Sequence, residues 1–221
     1  MEKIIDIREI FKIYKTSETV YALNDISLEI LKGEFVAIIG QSGSGKTTLM
    51  NILGCLDVPT SGEYLLEGNS IEKMKDRHLT FIRNKLIGFV FQGFNLIPSL
   101  SALENVELPL MYRGYSKSER RKKAFEALVS VGLESRVGHL PSQMSGGQQQ
   151  RVAIARAVAA KPPIVLADEP TGNLDSSSGH IILEILKDMN KNGKTVILIT
   201  HDRSVASEAD RTIKLKDGRI V

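Results

Sequence analysis

Three short apolar runs without polar interruption stand out along the chain, at Phe35–Ile39, Ile164–Ala167 and Thr195–Ile199. Runs of this length and composition are typical of strands that are buried on both faces of a parallel sheet. Between the second and third runs, apolar residues recur with a helical period at Ile181, Ile182, Ile185, Leu186 and Met189. This predicted helix ends near Asn192–Gly193. The alternation of strand and helix indicates an α/β fold with a parallel-sheet core.

A different pattern, in which apolar and polar residues alternate, covers the first thirty positions and 63–67. Such alternation predicts antiparallel strands with one solvated face, with breaks at Lys15–Glu18 and Leu31–Gly33. A further strand is predicted at Leu86–Phe91, and a closing hairpin over 212–221 with Asp217–Gly218 at its turn. The antiparallel strands therefore form an N-terminal β layer beside the parallel core.

From about residue 93 the pattern becomes helical. Ser116 and Glu119 have the spacing of a capping box, and Gly132 is a plausible stop for the helix that follows. The predicted apolar stripe of this helix consists of Ala124, Phe125, Leu128 and Val129. We interpret 1–221 as a single domain, with a core over about 1–92 and 161–221 and an inserted α-helical subdomain over about 93–160.

Composition narrows the class of protein. The 221 residues include 29 basic and 26 acidic ones, a net charge of +3 that does not by itself argue for a nucleic-acid partner. The basic cluster at 120–123 favours a solvated helix face over a site for nucleic acid or anionic lipid. No apolar run approaches the roughly 20 residues of a membrane helix, and charged residues near the N-terminus argue against a signal peptide.

We therefore expect a cytoplasmic protein that reaches a membrane only through a partner. Its single cysteine, Cys55, cannot form an internal disulfide and lies beside Leu53 and Leu56, which favours a buried thiol over a reactive one.

The segment from 40 to 48 carries the strongest chemical signal. It has the pattern G-x-x-x-x-G-K-[ST] directly after a predicted strand and before a predicted helix, the context that a phosphate-binding loop requires. Glycine-rich backbone and a helix N-terminus together present many N–H donors to a polyphosphate. Lys46 is placed to reach the β- and γ-phosphates, and the Thr47 hydroxyl to ligate Mg²⁺. The predicted nucleotide-binding residues here are Gly40, Gln41, Ser42, Gly43, Ser44, Gly45, Lys46, Thr47 and Thr48.

Polar residues follow three predicted core strands at the edge where open α/β sheets bind ligands. Asp168 suits Mg²⁺, and Glu169 is placed to orient or deprotonate an attacking water. His201 is expected to contact a γ-phosphate and to hold Glu169 in register. Gln92 can ligate Mg²⁺ or touch the water, and it is a candidate hinge to the helical insertion.

A second anion site is predicted at the start of another helix. Ser145, Gly146, Gly147 and Gln148 form a capping box, which can be explained by helix capping alone. Two glycines at a helix start also expose N–H groups beside the positive end of the helix dipole, and Ser145 adds a hydroxyl.

Together these residues resemble the ATP-binding-cassette ATPases, and the resemblance runs nearly end to end. Gly40–Thr47 matches Walker A, Ile164–Asp168 with Glu169 matches Walker B, and Met144–Gln148 matches the signature, with Met for the usual Leu. Gln92 matches the Q-loop glutamine, Asn173–Asp175 the D-loop and His201 the switch histidine. Tyr14 matches the aromatic residue that stacks on adenine. Four segments, 51–57, 94–98, 104–110 and 145–153, resemble the lipoprotein-release and macrolide-export branch of this family. That branch often has a second glutamine at the position where this chain has Gly93.

The resemblance implies a P-loop NTPase fold of the RecA-like type, with ATP and Mg²⁺ as cofactors. It implies a homodimer in which the signature of one copy covers the γ-phosphate held by the other. It also implies a transmembrane permease as partner and a place on the inner face of the membrane. A force-transmitting ATPase of the same branch, without translocation, is the main alternative. A DNA-repair or chromosome-structuring ATPase and a small-molecule kinase fit the motifs less well.

Overall fold

The computed structural model describes residues 2–15 and 18–221. The strands are β1 Lys3–Lys15, β2 Thr19–Leu31, β3 Phe35–Ile39, β4 Ser61–Leu66, β5 Asn69–Ser70, β6 Ile87–Phe91, β7 Ile164–Asp168, β8 Thr195–Thr200, β9 Arg211–Lys216 and β10 Arg219–Ile220. The helices are α1 Lys46–Leu53, α2 Asp76–Leu86, α3 Ala102–Tyr112, α4 Lys117–Ser130, α5 Gly146–Val158, α6 Ser176–Lys191 and α7 Arg203–Ala206. Two short 3₁₀ turns, Glu134–Arg136 and Pro141–Gln143, precede α5.

The strands form two sheets. The larger sheet has the order β10-β9-β3-β8-β7-β6, and its neighbouring strands are parallel except for the terminal β9–β10 pair. The smaller sheet is antiparallel in the order β2-β1-β4-β5. The predicted parallel core, N-terminal antiparallel layer and closing hairpin are confirmed. The predicted break at Thr16 and Ser17 lies outside the described residues.

Each face of the parallel sheet covers its own hydrophobic core. Alternate residues of β3 point to opposite faces, so that Val36 and Ile38 pack with the antiparallel layer and α1, whereas Phe35 packs with the helices. Both faces are apolar because both are covered, and this explains the unbroken apolar runs. Cys55 is fully buried in the core between the parallel sheet and the antiparallel layer, and burial raises the pKa of its thiol to about 11. The interpretation of Cys55 as a buried thiol is thus confirmed.

The helical layer departs from the predicted pattern in α4. Ala124 and Leu128 are buried, but Phe125 is 45% exposed and Val129 40% exposed, so the prediction of one four-residue apolar stripe is wrong. Neighbours at i and i+1 are 100° apart around a helix, and only one of each pair faces the core. Ile181 in α6 is exposed for the same reason, whereas Ile182 is buried. Both capping ends of α4 are as predicted, with a capping box at Ser116 and Gly132 at φ 69°.

Helices α2 and α3 were not predicted from the pattern. None of the helices within residues 2–15 and 18–221 is long and apolar enough to span a bilayer.

Helix α5 lies very close to the sheet at Gly88 of β6. A Cβ atom built on Gly88 would come within 2.4 Å of the carbonyl oxygen of Ala157, which no real side chain permits. The absence of a side chain at this position therefore sets how closely α5 seats on the strand that leads to Gln92.

We predict that Gly88→Ala lowers the free energy of unfolding by about 1–3 kcal/mol, because helix and strand must move apart. Urea denaturation measures the change. Gly138→Ala is the matched control, since a Cβ there meets nothing within 4 Å and the backbone has no positive φ. Equal stability of the two variants would contradict the tight seating of α5.

Candidate functional site

The carboxyl ends of four parallel strands lie side by side. Ile39 of β3 pairs with Thr200 of β8, Ile199 of β8 pairs with Asp168 of β7, and Asp168 pairs with Phe91 of β6. The residues that directly follow this row are Gly40, His201, Glu169 and Gln92. The sheet register therefore brings three of the predicted polar side chains and the start of the phosphate loop to one edge.

The phosphate loop has backbone that only glycine adopts readily. Gly43 and Gly45 have φ of 78° and 100°, and Gly45 is the N-cap of α1 without a side-chain cap. The first N–H groups of α1 are thus left for a ligand. A Cβ on Gly40 would meet the Leu215 carbonyl oxygen at 2.4 Å, so the loop is also packed against β9. The Ser44 hydroxyl is buried without a hydrogen-bond partner in the described part of the chain.

Lys46 lies across its own loop. Its Nζ donates hydrogen bonds to the carbonyl oxygens of Gly40, at 2.7 Å, and Gln41, at 3.0 Å. These two carbonyls of the loop are thus the hydrogen-bond acceptors of the ammonium group in this structure. A cleft of about 410 Å³ opens beside the loop. Its lining consists of Val20, Tyr21, Ala22, Ser42, Gly43, Gly45, Lys46, Thr47, Thr48, Asp217 and Gly218.

Glu169 is held by a compact set of donors. Its Oε2 accepts a hydrogen bond from the Thr200 hydroxyl at 3.0 Å, and its Oε1 accepts one from the backbone N–H of His201 at 2.9 Å. The imidazole Nδ1 of His201 lies 2.6 Å from the same Oε1. The backbone of Glu169 has φ 45°, an unfavourable value for a side chain of this kind, so the surrounding bonds fix it. The predicted contact between His201 and Glu169 is present.

Asp168, the residue before Glu169, is only partly exposed. Burial raises the pKa of Asp168, the neighbouring Glu169 charge raises it further, and the positive charge of Lys46 lowers it. Lys46 and Asp168 therefore act on each other electrostatically across the sheet edge. A cation bound here would favour the ionised carboxylate.

Gln92 is linked to the segment that follows Glu169. Its Nε2 donates to Oδ1 of Asn173 at 3.2 Å, and Nδ2 of Asn173 donates back to the Gln92 carbonyl at 3.2 Å. Further along, Asp175 caps α6 by accepting from the backbone N–H of Ser178 at 2.9 Å. Hydrogen bonds from Ser177 and Ser178 hold the pKa of Asp175 well below its ordinary value.

Tyr14, which is predicted to stack on adenine, lies near the end of β1 in the antiparallel layer. Its hydroxyl donates to Oδ2 of Asp57 at 3.1 Å, and the Nζ of Lys12 lies 5.1 Å from its ring centre while donating to Oδ1 of Asp57 at 2.7 Å. Burial, followed by Asp57, raises the pKa of Tyr14, and a hydrogen bond with Thr48 opposes them. The ring is thereby fixed beside α1, although the cleft itself is lined by Tyr21.

The Ser145–Gln148 capping box is present at the start of α5. The Ser145 hydroxyl accepts from the backbone N–H of Gln148 at 3.3 Å, and the Gln148 side chain accepts from the Ser145 N–H at 3.0 Å. A Cβ on Gly147 would meet Oγ of Ser178 at 2.7 Å, and one on Gly146 would meet Leu174 at 3.3 Å. The two glycines therefore pack against Leu174 and Ser178, at the beginning of α6 and just before it.

Several site residues were missed by the sequence reasoning. The hydroxyl of Thr200 supports Glu169, and the buried Gln150 of α5 donates from Nε2 to the Pro170 carbonyl at 2.7 Å. Val20, Tyr21, Asp217 and Gly218 line the cleft, because β2 and the β9–β10 turn pass beside the phosphate loop. No sequence motif marks these contacts, which arise from the packing of distant segments.

The donors at the sheet edge suit a small hard cation. Within residues 2–15 and 18–221, no three or more His, Cys, Asp or Glu side chains form a group that could hold a metal ion. The three predicted ligands are the Asp168 carboxylate, the Thr47 hydroxyl and the Gln92 amide. Such a set fits Mg²⁺, which takes few protein ligands and completes its shell with phosphate oxygens and water.

The fold and the site define a P-loop ATPase with an antiparallel layer and an inserted helical layer. The family model described as ABC transporter matches residues 23–172. The chain belongs to the ABC transporter family. It is the ATP-binding, ATP-hydrolysing type of subunit in that family, and the kinase and DNA-repair alternatives are therefore set aside.

Three similar proteins illustrate this membership. An ABC transporter ATP-binding protein of Thermotoga maritima is 51% identical over 221 residues, covering 100% of this chain and 94% of that protein. The ABC transporter ATP-binding protein MJ0796 of Methanocaldococcus jannaschii is 55% identical, covering 98% and 95%. The macrolide export ATP-binding/permease protein MacB of Hyphomonas neptunium is 50% identical over 99% of this chain, which spans only 34% of MacB.

Two solved structures of MJ0796 have the same fold. One is described as the dimeric structure of a bacterial ABC transporter cassette, with a TM-score of 0.90 and 53% identity over 98% of this chain and 96% of that chain. The other is described as a dimeric post-hydrolysis state bound to ADP and Pi, with a TM-score of 0.91 and 52% identity over the same shares.

Proposed function

We propose that two copies of this chain bind ATP head to tail and that its hydrolysis drives a transmembrane permease. The observation that carries the proposal is the Glu169 carboxylate, which Thr200 and His201 hold at the sheet edge directly after Asp168. A base placed beside a metal ligand and a phosphate loop is what attack of water on a γ-phosphate needs.

In this proposal the phosphate loop binds the triphosphate through the residues from Gly40 to Thr48. The free N–H groups of α1 and the ammonium group of Lys46 would stabilise the negative charge that develops on the transferred group. Lys46 would exchange its bonds to the Gly40 and Gln41 carbonyls for bonds to phosphate oxygens. The Tyr14 ring, fixed by Asp57, would stack on the adenine base.

Mg²⁺ would be held by Thr47, Gln92 and Asp168. When bound there, Mg²⁺ would supply positive charge that offsets the negative charge of the phosphates. Glu169 would accept the proton of the attacking water, and His201 would hold Glu169 in place and contact the γ-phosphate.

The signature residues would act on a second copy. In the described part of this chain, the atoms nearest to Gly146 and Gly147 belong to 94, 173–174 and 178 and not to the phosphate loop. Two copies of MJ0796 form dimers in the related structures, which supports the same assembly here. A donor cluster that meets the γ-phosphate only in a dimer makes dimer affinity depend on whether that phosphate is present.

The inserted helical layer at about 93–160, together with helix α2 that precedes β6, would transmit this closure to the permease. Phe81 and Tyr112 are 65% and 79% exposed, and they lie on α2 and α3, which are joined by the hydrogen bond from Asn84 to the Pro109 carbonyl. Exposed aromatic side chains on adjacent helices suit burial against a partner. The MacB relatives, which are named for macrolide export, favour an export role over force transmission without translocation.

Glu169→Gln is expected to lower kcat by about 10²- to 10⁴-fold, because the amide cannot accept the proton of the attacking water. The variant should still bind ATP and accumulate as a dimer in the presence of ATP and Mg²⁺, as measured by size-exclusion chromatography with light scattering. Glu184→Gln, a change at an ion-paired residue of α6, is the control and should turn over ATP as the wild type does. A Glu169→Gln variant that stays monomeric would contradict the head-to-tail dimer.

Tyr14→Ala is expected to weaken ATP binding by about tenfold to a hundredfold, since a stacked base contributes about 1–3 kcal/mol. Tyr14→Phe keeps the ring and should bind far better than the alanine variant. Equilibrium binding to a fluorescent ATP analogue measures both, with Tyr112→Ala as the control for loss of a tyrosine. If Tyr14→Ala binds ATP like the wild type, Tyr14 does not stack on the base.

Recovery of a tagged chain from detergent-solubilised membranes of cells that encode it is expected to bring down one integral membrane protein. Phe81→Asp and Tyr112→Asp should abolish the capture, because a charge cannot be buried against the partner without cost. Val129→Asp, at an exposed apolar residue of α4, is the control. Equal capture by all four proteins would exclude the α2–α3 surface as the contact.

A further inference from the structure

The turn after Gln92 has an unusual backbone. Phe94 and Asn95, neither of them glycine, have positive φ values of 60° and 51° in succession. Asparagine tolerates this region, but a bulky residue such as phenylalanine seldom adopts it. Backbone of this kind persists only where its surroundings hold it in place.

One side chain holds both residues. Arg156 of α5 donates from Nη1 to the Asn95 carbonyl at 2.6 Å and from Nη2 to the Phe94 carbonyl at 2.8 Å. Its guanidinium group is partly buried, and within residues 2–15 and 18–221 it forms no ion pair with a carboxylate. Burial lowers the pKa of Arg156. A cation that is removed from water without an acidic partner is costly, and here its compensation comes from these two carbonyls.

The same turn is attached to Gln92 at its other end. The backbone N–H of Phe94 donates to the Phe91 carbonyl at 3.2 Å, and that of Asn95 to the Gly93 carbonyl at 2.6 Å. These bonds make 91–95 one tight turn, so the place of Gln92 depends on the conformation of Phe94 and Asn95. Asn173 then fixes the Gln92 side chain itself.

We propose that Arg156 is a positioning residue for ATP hydrolysis, which sets the Phe94–Asn95 backbone and thereby the place of Gln92 at the metal and γ-phosphate. The inference rests on the proposed function of Gln92. Because α5 begins at the Ser145 capping box, Arg156 also makes that helix and the Gln92 turn move as one body. A movement of the signature residues on dimer closure would thus also move Gln92 of the same chain.

Arg151 provides a matched comparison on the same helix. It also reaches two successive carbonyls, but from one nitrogen: its Nη1 donates to Val131 at 3.0 Å and to Gly132 at 3.4 Å. Those carbonyls end α4 and have no bond to the Gln92 turn. A lysine at either position keeps the charge, but only at position 156 does it remove a contact made through both guanidinium nitrogens Nη1 and Nη2.

The test compares Arg156→Lys, Arg151→Lys, Gln92→Ala and the double variant Gln92→Ala/Arg156→Lys in the full chain. Arg156→Lys is expected to lower kcat by roughly tenfold to a hundredfold, because small misplacements at a reacting centre have effects of this size. It should raise the Mg²⁺ concentration for half-maximal activity, while ADP affinity measured without Mg²⁺ is unchanged. Arg151→Lys should alter neither kcat nor the Mg²⁺ response.

The double variant separates positioning from general support of the fold. If Arg156 acts through Gln92, adding Arg156→Lys to Gln92→Ala has little further effect on kcat or on the Mg²⁺ response. Effects that multiply in the double variant, or an Arg156→Lys enzyme with normal kcat and Mg²⁺ response, would overturn the inference. A Gln92→Ala variant with unchanged kcat would instead overturn the proposed role of Gln92 itself.

A second pair of variants keeps the test valid if Arg156→Lys folds poorly. Asn95 is exposed, so its side chain can be changed without opening the core. Asn95→Val should reproduce the loss of kcat and the weaker Mg²⁺ response, because a β-branched residue resists positive φ, whereas Asn95→Gly should retain activity. Equal activity of the two would contradict the importance of this backbone.

Discussion

The alignment of four strand ends in the parallel sheet is the constraint on which the site depends. Hydrogen bonding between strands fixes Ile39, Thr200, Asp168 and Phe91 in neighbouring registers. The residue that follows each strand must then leave the sheet at the same edge. Backbone bonding, rather than any bond between the functional side chains, brings the phosphate loop, His201, Glu169 and Gln92 together. The side-chain bonds around Glu169 refine an arrangement that the sheet already provides.

Helix α5 supplies a second constraint, through long polar side chains that reach the carbonyls of turns. Gln150 binds the Pro170 carbonyl behind Glu169, and Arg156 binds the Phe94 and Asn95 carbonyls behind Gln92. Both turns contain non-glycine residues at positive φ, which costs on the order of 1–3 kcal/mol per residue. The close seating of α5 at Gly88 keeps these short bonds possible. The helix that begins with the signature residues thus supports both segments around the proposed water and metal.

Two of the predicted nucleotide-binding segments lie at helix starts, at the N-termini of α1 and α5. Helix starts leave backbone N–H groups without partners inside the helix, and glycines at both places leave them open. The two clusters have separate neighbours: α1 lies beside β2 and β9, and α5 lies beside α6. In the proposed dimer, a triphosphate held at α1 of one copy would meet the second cluster of the other copy. This separation is the physical reason for proposing an ATP-dependent dimer in a family whose related structures are dimeric.

Much of the fold was predictable because local and global signals agree. Unbroken apolar runs gave the buried parallel strands, alternation gave the antiparallel layer, and glycine spacing with a lysine gave the phosphate loop. Helix α3 was missed although Ser101 and Glu104 form a capping box, because Pro109 interrupts its pattern. Helix α2 was missed because it is mostly polar and lacks a side-chain cap. The stripe of α4 was wrong at Phe125 and Val129, since apolar character does not tell which neighbour of a pair faces the core.

The residues predicted to bind phosphate are therefore determined by the sequence itself, because they lie in short motifs whose local geometry demands particular side chains. Their mutual arrangement is a property of the tertiary structure alone. Asp57 reaches Tyr14, Asn173 reaches Gln92, and Arg156 reaches Phe94 across separations of 43, 81 and 62 positions. No local rule relates residues so far apart, because their contact depends on how sheets and helices pack after the strands have paired.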